Sequence, residues 1–239
     1  MTSSDPPADN AAREDDNAAS EADKTDIALW EAAYLRFETP EEERAKFLKR
    51  LKGLGAATWD RNLRILELCC GRGNGLDAWT ALGFSHVDGL DLSADLVAEY
   101  RGEARTFVGD ARRMPFSGGA YDVVAVQGGL HHLLSMDDLE AALSEVHRVL
   151  KPQGRFVIVE PWLTPFLRVV HASCRSSLLR RLWKKLDALA TMIEHERTTY
   201  QAWLSQPRPI LAAIDRAFQT ESRQIGWGKL TLVGRKRAA

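Results

Sequence analysis

From Arg64 to Pro161 the chain alternates two kinds of apolar spacing. Short apolar runs, "RILELC", "HVDGLD", "RTFVGD", "YDVVAVQ" and "RFVIVEP", have the length and composition of buried strands. Between them, around Leu76–Leu82, Ala94–Tyr100 and Asp137–Leu150, the apolar residues return at the three- and four-residue spacing of a helix face. Strand–helix alternation of this kind predicts a parallel, doubly wound sheet. Such sheets bind ligands at the carboxyl ends of their strands, so chemistry is expected just after each run.

The flanks follow other patterns. Upstream, Ile27 to Phe37 is mildly amphipathic, and "TPEEERAKFLKRLKGLG" signals a helix. Thr39 can cap it, Pro40 suits its first position, Glu42 completes a capping box, and Phe47, Leu48, Leu51 and Leu54 form its apolar stripe. Downstream, Pro161 to Pro207 is too long for a connection and has helical periodicity at Leu178, Leu182, Leu186, Leu189 and Ile193, which predicts a helical insertion. A helix near Pro209–Phe218 and two strands, "TESRQIGW" and "KLTLVGRK", joined as a hairpin at Trp227-Gly228, close the pattern. The fold expected is α/β: a doubly wound, Rossmann-like, seven-stranded sheet, mostly parallel with an antiparallel C-terminal hairpin, plus the helical insertion 161–207. Residues 27–239 form this domain, and the acidic, aromatic-free stretch Met1–Asp26 is expected to be a disordered tail.

Composition narrows the function classes. The 239 residues are 45% hydrophobic, which suits one globular domain, and the formal net charge of -1 gives no global basic field for nucleic acid. Three cysteines, Cys69, Cys70 and Cys174, make neither an even framework nor a C-x-x-C pair, so no disulfide scaffold and no metal is expected. No apolar run is long enough to span a bilayer, and the protein is expected to be soluble and cytoplasmic.

The candidate chemistry starts at "ILELCCGRGNGLDAW", a strand running through a glycine turn into a helix. A dinucleotide fingerprint needs G-x-G-x-x-G, but Leu76 takes the third glycine position, and no G-K-[ST] follows to make a phosphate loop. The acidic residues around the turn carry more information. Glu67 lies in the strand just before it, where a carboxylate can meet a cationic or hydrogen-bonding ligand. Asp91 ends the second strand and can accept both hydroxyls of a ribose. Asp110 ends the third and can accept from an exocyclic amine such as adenine's. Three acids disfavour a triphosphate and favour a nucleoside that carries positive charge, which describes S-adenosylmethionine.

On these residues the region Arg64–Pro161 resembles a class I S-adenosylmethionine-dependent methyltransferase of the small-molecule type. The family's first motif is hydrophobic, acidic, then glycine-rich, and "LELCCGRG" places Glu67, Gly71 and Gly73 in register. The resemblance implies that Asp91 holds the ribose, Leu92 packs on the adenine, and Asp110 takes the adenine amine with the Ala111 backbone beside it. "FSGGAYDVVAVQGGLHHL" resembles the fourth motif, with Gln127 backing the methionine part, and "LSEVHRVLKPQGRFVIVEP" the segment after it. Cys69 stands where the family usually has its first glycine.

Methyl transfer mainly requires alignment of nucleophile and methyl group, and a general base helps where the acceptor loses a proton. His131, His132 and Glu160 are the titratable residues at the strand ends. His131 and His132 are candidate catalytic residues, or a pair that packs the loop, and Glu160 can also simply cap the insertion. The insertion's Trp162, Phe166, Leu167 and Trp183 are expected to shape an apolar acceptor pocket beneath a lid, with Tyr34 and Trp30 closing the other side. Its Arg168, Arg175, Arg180, Arg181, Lys184 and Lys185 allow weak contact with a membrane surface. The partner expected is a small-molecule acceptor; no nucleic acid is expected, since "QGGLHH" replaces the acidic or Asn residue and Pro-Pro-aromatic signature of base methylation. A non-catalytic binder of S-adenosylmethionine is the alternative.

Overall fold

The computed structural model describes residues 32–237. The expected tail and Trp30 lie outside the described residues. After helical residues 32–37, helix α1 (Pro40–Gly53) starts where its signals put it. Thr39 accepts a hydrogen bond from the Glu42 amide, and the Glu42 carboxylate accepts from the Thr39 amide, so both halves of the capping box form.

The sheet follows: β1 (Arg64–Leu68), α2 (Asn74–Ala81), β2 (His86–Asp91), α3 (Ala94–Glu99), β3 (Arg105–Val108), β4 (Tyr121–Gln127), α4 (Met136–Val149) and β5 (Leu150–Pro161). Four short helices, α5 (Pro165–Cys174), α6 (Ser177–Leu182), α7 (Lys184–His195) and α8 (Arg197–Ser205), precede α9 (Pro207–Ala217), β6 (Phe218–Gly226) and β7 (Lys229–Lys236). The strand order is β3-β2-β1-β4-β5-β7-β6. β1 to β5 pair in parallel, and β7 is antiparallel to both β5 and β6. The hairpin turn lies at Trp227-Gly228, both with positive φ (51° and 79°), the conformation that matches strand twist in a two-residue loop.

Both faces of the central strands are covered, which explains their nearly unbroken apolar runs. Leu66, Val124, Phe156 and Ile158 pack with Leu139, Leu143, Ile210 and Ile214 of α4 and α9. Ile65, Val123, Ala125 and Val157 pack with Phe47, Leu51, Leu76 and Trp79 of α1 and α2. Each fully buried side chain of this kind contributes about 1.5–3 kcal/mol. The reversal of strand order falls between β1 and β4, so the ends of those strands and of β2 and β5 face one crevice.

The insertion departs from its sequence pattern. The Leu178/Leu182/Leu186 spacing predicts one face, but Leu186 is buried while Leu178 and Leu182 are 64% and 74% exposed. Trp183 is extended (φ −127°, ψ 97°), so it ends α6 and re-aims α7, and the four-residue repeat spans two helices instead of one. No helix among the described residues is long and apolar enough to cross a membrane.

Candidate active site

The loop after β1 is shaped by residues with positive φ: Cys69 (53°), Gly71 (50°) and Gly73 (84°). A Cβ on Gly73 would sit 2.1 Å from the Tyr100 ring, whereas one on Gly71 would meet nothing within 4 Å. Gly73 therefore closes the loop against α3, and Gly71 faces open space. Asp91 joins this loop to the end of β2: one carboxylate oxygen accepts from the Gly71 amide (2.7 Å) and the other from the Ser93 amide (2.9 Å). Each oxygen keeps a further lone pair for a hydroxyl donor. Leu92, next in the chain, is 72% exposed, an apolar side chain available to stack on a planar base.

Glu67 has a different partner from the one its position suggests. It is buried, and it accepts from the Trp79 indole (2.5 Å) and from the Gln127 amide (3.2 Å). Burial raises its carboxyl to about 7 against the hydrogen bonds that favour ionisation. Glu67 thus braces α2 and β4 under the loop. Gln127 gains its orientation from this bond, and its own carbonyl oxygen is buried without a hydrogen-bond partner. An unpaired buried acceptor costs about 1–3 kcal/mol, which a ligand ammonium would recover. This orphan oxygen, the open face of Gly71 and the Asp91 carboxylate fit the methionine and ribose parts of S-adenosylmethionine.

Asp110 is otherwise engaged. The Arg112 guanidinium grips it with nitrogen–oxygen distances of 2.7 to 3.0 Å, and the Arg112 amide adds another bond (2.8 Å). These bonds hold its carboxyl below the usual range. An adenine amine would share Asp110 with Arg112. Ala111, beside it, packs against the core.

On the acceptor side, Glu160 at the end of β5 is buried and organises the turn after β4. One oxygen accepts from the amides of Gly129 and Leu130 (2.9 and 2.8 Å), and the other pairs with His131 Nδ1 (2.8 Å). His131 Nε2 lies 3.6 Å from Glu196, between α7 and α8. Burial alone would lower His131; its bonds to Glu160 and Glu196 prevail and raise it to about 9. His132 stacks beside it with ring centroids 4.2 Å apart, yet is exposed. Although His132 reaches solvent, the protein packed around its ring, followed by the charge on His131, lowers its pKa from the ordinary imidazole value. The donor atoms of His131, His132 and Glu196 lie within 4.8 Å of one another and could hold a cation, but the ion pairs already account for this arrangement.

The insertion packs on this turn. Tyr200 of α8 contacts the His131 ring edge-on, and Trp203 donates to the Pro161 carbonyl (2.8 Å) while packing on buried Trp162. Trp162 thus belongs to the core contact between insertion and sheet. Phe166 packs on Trp227, Leu167 lies against Gly228, and Trp183 is 63% exposed rather than turned into a pocket.

Sequence reasoning missed two supports. Glu43 is buried, accepts from the Tyr34 hydroxyl, and accepts from Asn74 at the start of α2 (2.7 Å). Tyr34 thereby acts through Glu43 on the glycine loop. In the sequence Glu43 is one of three acids in the first turn of α1, with nothing to distinguish it. The second is Glu196, whose position between α7 and α8 only the tertiary packing reveals. Cys69 also gains an explanation. A Cβ on Gly129 would lie 2.5 Å from the Cys69 side chain, so the loop accepts cysteine because residue 129 is glycine. Burial, followed by Asp91 and Glu160, raises the Cys69 thiol, and burial pushes Cys70 up to about 12, so neither is an activated thiolate.

Residues 65–154 match the family described as "Methyltransferase domain", and the doubly wound sheet with its crevice is the fold of solved S-adenosylmethionine-dependent methyltransferases. A demethylmenaquinone methyltransferase from Lactococcus lactis is 36% identical over 138 residues, 54% of this chain and 51% of that protein. The chain thus spans about half the length of this relative. Among solved structures, the PH0226 protein from Pyrococcus horikoshii superposes with a TM-score of 0.62 at 20% identity, covering 85% of this chain and 96% of that one. A SAM-dependent methyltransferase from Methanosarcina mazei gives 0.56 at 15% identity, covering 78% and 98%.

Proposed function

We propose that the protein transfers a methyl group from S-adenosylmethionine to a small, partly apolar acceptor with a quinol-type ring. The observation that supports this reading is the Glu160–His131–Glu196 arrangement after β4, with His132, its pKa lowered, against the His131 ring. The similarity to a demethylmenaquinone methyltransferase supports the acceptor class.

The donor supplies a methyl group activated by the positive sulfonium. Asp91, with the amides it holds, would bind the ribose of the donor, and the Gln127 oxygen would accept from its ammonium, so both ends are held by groups already in place. His132 accepts the proton that the acceptor loses as its new bond to the methyl carbon forms and the carbon–sulfur bond breaks. Protonated His131, fixed by its two carboxylates, positions His132 and disfavours an early second charge on it. Residues 161–207 act as a cover on the acceptor side, with α8 seated on the histidine turn and Trp162 and Trp203 as its foundation. Free thiols at Cys69, Cys70 and Cys174 support a reducing compartment, the cytoplasm.

The test is mass-spectrometric detection of methylated product from a water-soluble quinol. His132→Ala should lower turnover about 100-fold, the usual scale of general-base catalysis, with donor affinity unchanged. Donor binding without methylation of any quinol would overturn the acceptor reading and favour a non-catalytic binder.

A further inference from the structure

The insertion carries an open cleft of about 780 Å³ lined by Arg36, Arg175, Arg180, Arg181 and Lys184, with Asp187 as its acid. Asp187 pairs with Arg180 (2.8 Å) and Arg36 (3.8 Å). No acidic side chain stands within ion-pair distance of Arg175, Arg181 or Lys184 among the described residues, so the cleft holds excess positive charge. Alternating with these cations in the chain are Leu178, Leu182 and Trp183, all more than 60% exposed. Exposed apolar side chains thus neighbour the cleft's cations along the chain, a combination that charge solvation alone does not explain.

A second observation extends the surface. Pro161 at the end of β5 pairs with Lys229, so the β6–β7 turn lies at the same end of the sheet as the crevice. Trp227 in that turn is 81% exposed and packs edge-on against half-exposed Phe166 of α5. Val169, one turn further along α5, is exposed as well. Most of the large hydrophobic side chains exposed among the described residues thus belong to the insertion and this hairpin. Tryptophan and leucine beside lysine and arginine match the boundary between lipid headgroups and acyl chains.

We propose that α5, α6 and the β6–β7 turn form a docking surface for an anionic bilayer. Lipid phosphates enter the basic cleft, and Leu178, Leu182, Trp183 and Trp227 enter the headgroup–acyl boundary. The excess charge of the cleft selects anionic lipid over zwitterionic lipid. Docked in this way, the crevice end of the sheet faces the membrane, and an apolar acceptor dissolved there reaches the histidine turn without crossing bulk water. The surface stands independently of the acceptor assigned above.

The experiment is flotation of the full chain with phosphatidylcholine vesicles, with and without phosphatidylglycerol, over a salt series. Binding should require the anionic lipid and weaken with salt. The double variant Leu182→Asp/Trp183→Asp should reduce the bound fraction about tenfold while keeping the wild-type melting temperature and donor affinity, since both side chains are exposed. Arg181→Glu/Lys184→Glu should produce a similar loss and flatten the salt dependence. Equal binding to both vesicle types, or none, would overturn the proposal. So would saturable binding of inorganic pyrophosphate without flotation, which would make the cleft a site for a soluble anion. Dimerisation in ultracentrifugation that Leu182→Asp abolishes, without flotation, would assign the surface to a second copy. Flotation only after deletion of residues 1–26 would assign the cleft to the chain's own acidic segment. Because flotation needs no acceptor, its failure leaves methylation of a soluble quinol as a separate question.

Discussion

The donor side of the crevice and the helical insertion sit at the same end of one sheet, but they are held in opposite ways. On the donor side nearly every polar group is committed: Asp91 to two amides, Glu67 to Trp79 and Gln127, Glu43 to Tyr34 and Asn74. The exception among the described residues is the Gln127 oxygen, buried without a hydrogen-bond partner. In the insertion, α6 exposes its leucines, and the cations of the cleft outnumber their acids. A site for one invariant ligand can be pre-organised by internal bonds, whereas a surface that meets a fluid partner keeps its contacts unspent. His131 joins the two regimes, bonded to Glu160 of the sheet and paired with Glu196 of the insertion.

Three substitutions or conditions would break or sharpen this contrast. The largest effect is expected on the donor side: Asp91→Ala should weaken S-adenosylmethionine binding by about 1–3 kcal/mol in calorimetry, because a charged acceptor and its hold on Gly71 go together. Unchanged affinity would mean that the donor side is not organised through Asp91.

The next concerns the joint. His131 has its pKa raised from 6.5 to about 9, so the folded state gains from its protonation. That contribution is complete below pH 6.5 and disappears as the pH rises through 9, an expected loss of about 3 kcal/mol in urea unfolding. His131→Gln should flatten this window, and a variant that keeps the full slope would place the titrating group elsewhere.

The smallest effect probes the donor loop alone. Gly129→Ala should destabilise the protein by about 1–2 kcal/mol through contact with Cys69, and Cys69→Gly should restore most of that loss. Cys69→Gly by itself should stabilise by about 1 kcal/mol, since a left-handed residue then carries no side chain. Additive effects in the double variant would show that the two residues are not in contact.

The contrast also explains what could be read from the chain. Val123–Val126 and Phe156–Val159 are buried on both faces, so their composition alone marks them as strands, and Asp91 and Gln127 follow because strand ends fix them. The capping box at Thr39 and the turn at Trp227-Gly228 are local, and local chemistry is legible. Leu178, Leu182 and Leu186 misled because periodicity cannot show a break that leaves the count intact. Ser176 caps the start of α6 through the Leu179 amide, ahead of the repeat, whereas the break at Trp183 has no side-chain cap to mark it. The partners of Glu67, Asp110 and Glu160 depend on Trp79, Arg112 and the Gly129–Leu130 amides; the longer-range of these meet only in the folded sheet.

The position of β7 has a further consequence, for the order in which the chain can fold. β7 follows β6 in the chain, yet it lies between β5 and β6 and pairs with both. While the protein is being synthesised, β1 to β5 can associate as they emerge, but the outer edge of β5 stays open until Lys229–Lys236 has left the ribosome. Until then the apolar edge from Phe156 to Val159 has no antiparallel neighbour, and β6 has no sheet to join. The pairing of β5 with β7 thus joins segments far apart in the chain, and the crevice, whose floor includes the end of β5, gains that neighbour only when β7 is in place.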